Sequence, residues 1–258
     1  MSLILSHKAG HVLKLSLNRP DKFNSFNRAM ALELQKQLDH AAHDEHVRAV
    51  YLTAEGKAFC AGQDLAEAMD ANGPGIKTIV EEHYNPLILK LRNLPKPVVC
   101  AVNGVAAGAG ANIALACDIV IAAQSASFIQ AFSKIGLIPD SGGTFILPRL
   151  VGFQKALGLA LLGEKVGAAH AEQMGMIYKV VDDGFLQNEG MQIADTLASM
   201  PTQALWLTKK LFNEGAHNTL EKQLENEGRE QVKAAQTYDY NEGVNAFLEK
   251  RKPVFKGK

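Results

Sequence analysis

Short hydrophobic segments fill the first two thirds of the chain, and a helical period takes over in the last third. Apolar and polar residues alternate over 13–17 and follow an apolar stretch at 3–5, which predicts a β-hairpin. Apolar residues recur at helical spacing over 27–43, which predicts an amphipathic helix. The continuous apolar run 98–102 predicts a buried strand. After residue 185 the pattern predicts helices alone.

Strands and helices are predicted to alternate as a repeated strand, strand, helix unit, although no side-chain pattern repeats cleanly. Further strands are predicted over 47–53, 118–123 and 177–181, and a helix kinked at Pro86 over 77–94. This order indicates an α/β fold. We expect a core domain over residues 1–195 and a C-terminal helical region over 196–258. The helical region should pack on the core or on another subunit and support oligomerisation.

Length and charge restrict the class of protein. A chain of 258 residues suits one main core with an appendage, and 27 basic residues balance 27 acidic ones. Binding to nucleic acid or to an anionic membrane is therefore not expected. The N-terminus lacks the layout of a signal peptide and no long apolar run is present, so we expect a cytoplasmic protein. Cys60, Cys100 and Cys117 are predicted to be buried thiols, and no metal site is expected.

Two bends rich in small residues follow predicted strands. Segment 103–111 leads into a helix start whose first N–H groups lack intrahelical partners. Segment 54–65 has the same character, with free N–H groups expected near Gln63. Such groups favour an oxygen that carries negative charge. Close helix packing and a dinucleotide fingerprint are alternatives at Gly108, but Ile113 stands where the fingerprint needs a third glycine.

A single acidic residue, Asp140, lies between Pro139 and a Ser-Gly-Gly turn, in reach of the same pocket. It is either a catalytic carboxylate or the N-cap of a following helix. Apolar neighbours should raise its pKa. Asp64 is expected to brace its own loop by hydrogen bonds.

Several motifs in register resemble the crotonase, or enoyl-CoA hydratase/isomerase, superfamily. They are Asn18-Arg19-Pro20 with Asn24-Ser25-Phe26, the segment 59–65, Pro95-Lys96-Pro97 through Gly104, Cys117-Asp118, and the segment 136–144. The resemblance implies a spiral of strand, strand, helix units with a C-terminal helical region. It also implies an acyl-CoA thioester substrate, no separate cofactor because coenzyme A is part of the substrate, and a homotrimer or dimer of trimers.

The resemblance assigns roles to particular residues. The N–H groups of Gln63 and Ala109 would form the oxyanion hole for the thioester enolate. Phe247 and Lys250 would reach a CoA bound in a neighbouring subunit, although a solvated tail remains open. The other residues expected at the substrate are Lys22, Phe23, Asn24, Ala61, Gly62, Asp64, Leu65, Gly108, Gly110, Asn112 and Phe132.

Departures from the superfamily pattern favour an isomerase. Hydratases use two glutamates, and this chain has Asn112 and Phe132 at those positions. Asp140 matches the catalytic carboxylate of some isomerases and would move the proton. Segments 59–65, 131–134 and 137–144 are most similar to members that convert ring-epoxidised phenylacetyl-CoA into oxepin-CoA.

Other functions remain open at this stage. A Δ3,Δ2-enoyl-CoA isomerase and a hydratase-like enzyme of fatty-acid oxidation are the enzyme alternatives. The third alternative is not an enzyme: because both hydratase glutamates are absent, the chain could serve as a non-catalytic acyl-CoA-binding partner of a hydratase.

Overall fold

Two β-sheets form the core of the protein. The computed structural model describes residues 2–258, and within them a six-stranded and a four-stranded sheet. The strands are β1 (Ile4–Ala9), β2 (Val12–Leu17), β3 (Ala49–Ala54), β4 (Ala58–Cys60), β5 (Val98–Val102), β6 (Val105–Ala107), β7 (Ile119–Ala123), β8 (Ser127–Ile129), β9 (Lys165–Gly167) and β10 (Lys179–Val181).

The chain coils by giving one strand to each sheet in every turn. The first sheet has the order β1-β2-β3-β5-β7-β10, and the second has the order β4-β6-β8-β9. Strands β3 and β4, β5 and β6, and β7 and β8 are therefore successive strand pairs of a spiral. The β1–β2 hairpin and the β8–β9 pair are antiparallel, and the other neighbours are parallel. The predicted strand, strand, helix spiral is confirmed.

Helices cover the sheets and make up the C-terminal part of the chain. Asn27 begins the first of them, because its side-chain oxygen accepts the Met30 N–H at 2.9 Å. The helices are α1 (Arg28–His43), α2 (Leu65–Met69), α3 (Gly75–Thr78), α4 (Asn85–Asn93), α5 (Ala109–Leu115), α6 (Gly143–Val151), α7 (Phe153–Leu162), α8 (Ala168–Gln173), α9 (Leu186–Ser199), α10 (Thr202–Gly215), α11 (Leu220–Ala235) and α12 (Tyr238–Leu248).

The structure differs from the sequence prediction in the helix before Pro86 and in the short strands of the second sheet. The helix predicted over 77–94 is divided into α3, a π-helical segment (Ile79–Tyr84) and α4, so the irregularity lies before Pro86. The bend predicted over 103–111 contains β6 before the helix starts. The strands β4, β6, β8 and β9 have three residues each, too few for a pattern of alternation to appear in the sequence.

The C-terminal helices lie at the amino ends of the strands in the first sheet. Arg48, just before β3, donates to the Thr202 hydroxyl at 2.9 Å. Lys209 forms an ion pair at 2.8 Å with Asp118, just before β7. Helix α9 packs on β3 and β5 and spans the boundary expected at residue 195.

The described residues contain no helix long and apolar enough to cross a membrane. The three cysteines are free and buried, as predicted. Burial raises the pKa of Cys60 to about 12, so its thiol stays protonated at neutral pH.

Candidate active site

The site lies where the parallel strands β4, β6 and β8 end. Residues 61–63 follow β4, residues 108–109 follow β6, and residues 130–132 follow β8. Because these strands are neighbours in one sheet, their carboxyl ends meet at one edge. Ligands of α/β proteins commonly bind at such an edge.

The main chain of Gln63 is turned outward by Phe26. Phe26 donates its N–H to the Gly62 carbonyl at 2.7 Å and accepts the Asp64 N–H at 2.8 Å. In this parallel bridge the N–H of Gln63 itself points away from Phe26. It has no acceptor among residues 2–258.

The N–H of Ala109 comes close to the same place. Ala109 is the first residue of α5, and its N–H likewise has no acceptor within the described chain. A Cβ atom built on Gly62 would lie 3.7 Å from the Ala109 nitrogen. One built on Gly110 would lie 2.5 Å from the Cys60 carbonyl oxygen. The unpaired amide of Ala109 thus lies against the loop that carries the unpaired amide of Gln63, and the two amides come from different turns of the spiral.

Asp140 lies beside helix α5. The Asn112 side chain donates to the Asp140 main-chain carbonyl at 2.9 Å, and Asn112 is three residues after Ala109 in the helix. The Asn112 side chain therefore anchors the main chain of Asp140 to the helix that begins with the unpaired amide of Ala109.

The carboxyl group of Asp140 is partly buried and has one protein partner. The Ser141 hydroxyl donates to one of its oxygens at 2.9 Å, and Ser141 adopts a left-handed conformation with φ of 51°. Burial raises the pKa of Asp140 above its ordinary value, and the Ser141 hydrogen bond opposes that rise. The expected direction is confirmed. The N-cap of α6 is Gly142, so the alternative of Asp140 as a helix cap is not observed.

The two residues at the hydratase glutamate positions have no acid-base group. The Asn112 amide is buried and fully directed to neighbours, since its oxygen also accepts from Gln130 at 2.8 Å. The expectation that Asn112 binds substrate is therefore corrected: its side chain braces Asp140. The buried ring of Phe132 faces Gly108, where an added Cβ would lie 3.7 Å from it. Phe132 thus forms an apolar wall beside the Ala109 amide.

The residues expected to bind substrate around the first turn divide into two groups. Lys22, Phe23, Ala61 and Leu65 are exposed. Asn24 is completely buried, and its amide donates to the carbonyls of Glu55 and Ala58 at 2.8 Å each. The expectation that the Asn24 side chain contacts substrate is therefore corrected, because its hydrogen bonds tie two loops together.

Asp64 braces its loop, as expected. It pairs with Arg19 at 2.8 Å and accepts the Ala66 N–H at 3.0 Å as the N-cap of α2. The hydrogen bond from Arg19 holds the pKa of Asp64 below its usual value. Asp64 thus remains ionised and has little capacity to accept a substrate proton at neutral pH.

Phe247 and Lys250 are not brought to the site of their own chain. They lie in and just after α12, among the helices placed at the amino ends of the strands, while the unpaired amides lie at carboxyl ends. Phe247 is 82% exposed and free to contact another molecule.

Comparison with known proteins decides the family. The sequence profile of the enoyl-CoA hydratase/isomerase family matches residues 7–258. The chain belongs to this family. It is 51% identical to the 1,2-epoxyphenylacetyl-CoA isomerase of Escherichia coli (strain K12) over all of both chains. It is 36% identical to the trans-2-decenoyl-[acyl-carrier-protein] isomerase of Streptococcus mutans, covering 99% of this chain and 98% of that protein.

Solved structures of the family agree with the fold. The crystal structure of an enoyl-CoA hydratase from Bacillus anthracis superposes with a TM-score of 0.93 at 36% identity, covering 99% of this chain and all of the other. The expected crotonase-type spiral is therefore confirmed.

Two residues of the site escaped the sequence analysis. The hydroxyl of buried Tyr84 donates to the Gln63 side chain at 2.7 Å. Gln130 is buried, holds Asn112 with its amide nitrogen, and leaves its side-chain oxygen without a partner in the described chain. Neither residue stands in a motif, so the sequence carried no signal for them.

Proposed function

We propose that this protein is an isomerase of CoA thioesters that moves a proton with Asp140 while the Gln63 and Ala109 amides hold the thioester oxygen. One observation carries the proposal. Asp140, whose carboxyl group is partly buried and has a raised pKa, is held by Asn112 of helix α5, and the same helix begins with the unpaired amide of Ala109. A thioester oxygen bound to the amides would bring its α-carbon near that carboxylate.

The arrangement suits removal of an α-proton. Loss of this proton moves negative charge onto the thioester oxygen, and fixed N–H donors stabilise that charge most when it is fully developed. One such donor contributes about 10²- to 10³-fold to a rate. A carboxylate with a raised pKa is a stronger base than an ordinary one and is better matched to the weak acidity of the substrate.

A single carboxylate is enough for an isomerase. The proton taken from one carbon returns to another, so the composition of the substrate does not change. Hydration also requires a group that activates water, and Asn112 and Phe132 offer none. The apolar ring of Phe132 lies beside Gly108, next to the Ala109 amide, and offers a water molecule no hydrogen-bond partner there.

For the acyl group, we propose ring-epoxidised phenylacetyl-CoA as substrate and oxepin-CoA as product. The 51% identity over the whole chain to an enzyme named 1,2-epoxyphenylacetyl-CoA isomerase supports this choice. A Δ3,Δ2-enoyl-CoA isomerase is the second candidate, supported by the same lone carboxylate and by the relative that isomerises an acyl chain.

Turnover of two substrates by two proteins tests the proposal. The wild type and Asp140→Asn are compared on the aromatic epoxide and on an aliphatic 3-enoyl-CoA, with binding of phenylacetyl-CoA measured by calorimetry. We expect the wild type to prefer the epoxide. Asp140→Asn should lose turnover by at least about 10³-fold on both substrates while it keeps its affinity for the ester.

Turnover that persists in Asp140→Asn would remove this residue from the mechanism. A preference for the aliphatic substrate would favour the second candidate. An inactive wild type that still binds the ester would favour the non-catalytic alternative.

We also propose that the protein assembles as a trimer or dimer of trimers and that Phe247 and Lys250 contact the CoA of a neighbouring subunit. The large exposed apolar side chains of α6 and α7 support assembly. Lys250→Ala should raise the Kd for CoA in the assembled protein, because a phosphate would lose its cation. An unchanged Kd would leave the tail as a solvated segment. An association with a hydratase would appear as a mixed complex in size-exclusion chromatography.

A further inference from the structure

The side chain of Gln63 is held at both ends. Its amide nitrogen donates to the Glu67 carboxylate at 3.1 Å and to the Asp64 carbonyl at 3.3 Å. Its oxygen accepts the hydroxyl of Tyr84 at 2.7 Å. The residue whose main-chain N–H faces the site therefore has its side chain fixed on the opposite side by three protein groups.

The direction of these hydrogen bonds follows from the partners. The Glu67 carboxylate and the Asp64 carbonyl accept hydrogen bonds, so the amide nitrogen of Gln63 must face them. Its oxygen then faces Tyr84, and the Tyr84 hydroxyl has to act as donor. The tyrosine proton is thus directed to the side-chain oxygen of Gln63.

The π-helical segment Ile79–Tyr84 delivers this hydroxyl. Such segments interrupt α-helices and often occur at functional sites. Tyr84 is its last residue and is completely buried. The ring of Tyr84 lies 6.2 Å from that of Phe26, whose main chain brackets Gln63. Tyr84 and Phe26 therefore hold Gln63 by its side chain and its main chain.

We propose that Tyr84 is a positioning residue for the oxyanion hole: its hydroxyl fixes the Gln63 side chain and thereby the direction of the Gln63 N–H. This inference rests on the proposed function, because it assumes that the Gln63 N–H stabilises a thioester enolate. Tyr84 acts through Gln63 and does not exchange a proton with the substrate.

The surroundings of Tyr84 agree with that role. Burial raises its pKa well above the ordinary value, and the negative charges of Asp140 and Glu67 raise it further. The hydroxyl therefore remains a neutral donor across the pH range of the enzyme. The influence of Asp140 also places Tyr84 within electrostatic reach of the proposed base.

The chain offers a matched control for removing this hydroxyl. Tyr51 is also completely buried, and its hydroxyl bonds the Gln187 side-chain oxygen at 3.0 Å, far from the amides, between β3 and α9. Tyr84→Phe and Tyr51→Phe each delete one partly buried tyrosine–glutamine hydrogen bond. A general loss of stability should affect both variants alike, and a loss of positioning should affect Tyr84→Phe alone.

Isomerase kinetics and enolate formation measure the effect. Tyr84→Phe should lower kcat by about tenfold, a fraction of the 10²- to 10³-fold contribution of a complete oxyanion donor, and change KM by less than about twofold. Bound acetoacetyl-CoA, a β-keto thioester, should show a tenfold smaller equilibrium constant for ionisation to its enolate, read by ultraviolet absorbance. Tyr51→Phe should leave both values unchanged.

A double-mutant cycle tests whether Tyr84 acts through Gln63. Gln63→Leu removes the side-chain hydrogen bonds and keeps the main-chain N–H, so it should reproduce the loss in kcat. Tyr84→Phe combined with Gln63→Leu should be no slower than either variant alone, because both disrupt one interaction. If Tyr84→Phe does not fold, Gln63→Leu with its half-buried side chain carries the same prediction.

Two results would overturn the role of Tyr84. One is a normal kcat and normal enolate formation in Tyr84→Phe, and the other is a double variant whose loss in kcat is the product of the two single losses. The failure of the proposed function would look different. The wild type would then ionise acetoacetyl-CoA without isomerising either substrate, and the enolate measurement would still decide the role of Tyr84.

Discussion

Close packing of helix α5 on strand β4 sets the spacing of the two amides, and Gly110→Ala tests it. Its Cβ would lie 2.5 Å from the Cys60 carbonyl oxygen and 2.6 Å from both Cβ and Sγ of Cys60. Ordinary contact begins at 3.4 Å, so the first distance is about 0.9 Å too short. The carbonyl belongs to the main chain and cannot rotate away, so the helix has to move by nearly that distance.

The expected effects on activity and stability differ in size. A displacement of about 1 Å in a catalytic group can lower kcat by about 10²-fold. Forced overpacking costs about 1–3 kcal/mol, and the better helix propensity of alanine offsets up to about 1 kcal/mol. We therefore expect a net loss of about 0–3 kcal/mol in the free energy of unfolding and a much larger relative loss in kcat.

Steady-state kinetics and thermal unfolding separate these effects. Gly228→Ala is the control, because Gly228 lies within α11 and an added Cβ there meets no atom within 4 Å. This control should keep its kcat and hold or raise its melting temperature. If folded Gly110→Ala retains kcat within about twofold of the wild type, the spacing of α5 and β4 does not govern catalysis, and the reasoning from convergent amides is wrong.

Three further predictions follow from the site. Burial disfavours ionised Asp140, so its penalty is absent below the ordinary pKa of 3.8 and complete above the raised folded pKa. Asp140→Asn should therefore melt at a higher temperature than the wild type at pH 7, and a calorimetric scan below pH 3.8 should show no difference. The wild-type kcat/KM should rise with pH through that same raised pKa of the free protein, so the rising limb of the profile lies above pH 3.8. Asn24→Ala should lower the free energy of unfolding in urea by about 2–4 kcal/mol, since it leaves buried carbonyls unpaired, whereas exposed Lys22→Ala should change it by less than about 0.5 kcal/mol.

Sequence reasoning suggested candidate catalytic residues but missed the residues that hold them in place. Small residues after a strand indicated exposed main-chain amides near Gln63 and at the start of a helix. The family resemblance then selected Gln63, Ala109 and Asp140, and their catalytic roles stay predictions. The roles of Asn24 and Asn112 could not be predicted, because an amide looks the same in sequence whether it faces a ligand or two buried carbonyls.

Long-range packing explains the other omissions. The predicted strands all lie in the first sheet, whereas the second sheet consists of three-residue strands that left no pattern in the sequence. Tyr84 lies 21 positions from Gln63 in the chain and ends a π-helical segment. No residue pattern in the sequence predicted this segment, so the hydrogen bond between the two side chains could not be predicted either. The π-helical segment ends just before Pro86, and proline has no backbone N–H to donate to the preceding turn. The missing hydrogen bond agrees with a wider turn at this position, where the sequence predicted a simple kink.

Hydrogen exchange at the α-carbon of phenylacetyl-CoA in heavy water tests the central claim most directly, because it needs the amides and the base but no later step. Mass spectrometry should show deuterium entering the α-carbon with the wild type. With Asp140→Asn, exchange should fall to the rate without enzyme although the ester still binds. Equal exchange in both proteins, or none with the wild type at saturating ester, would contradict the account.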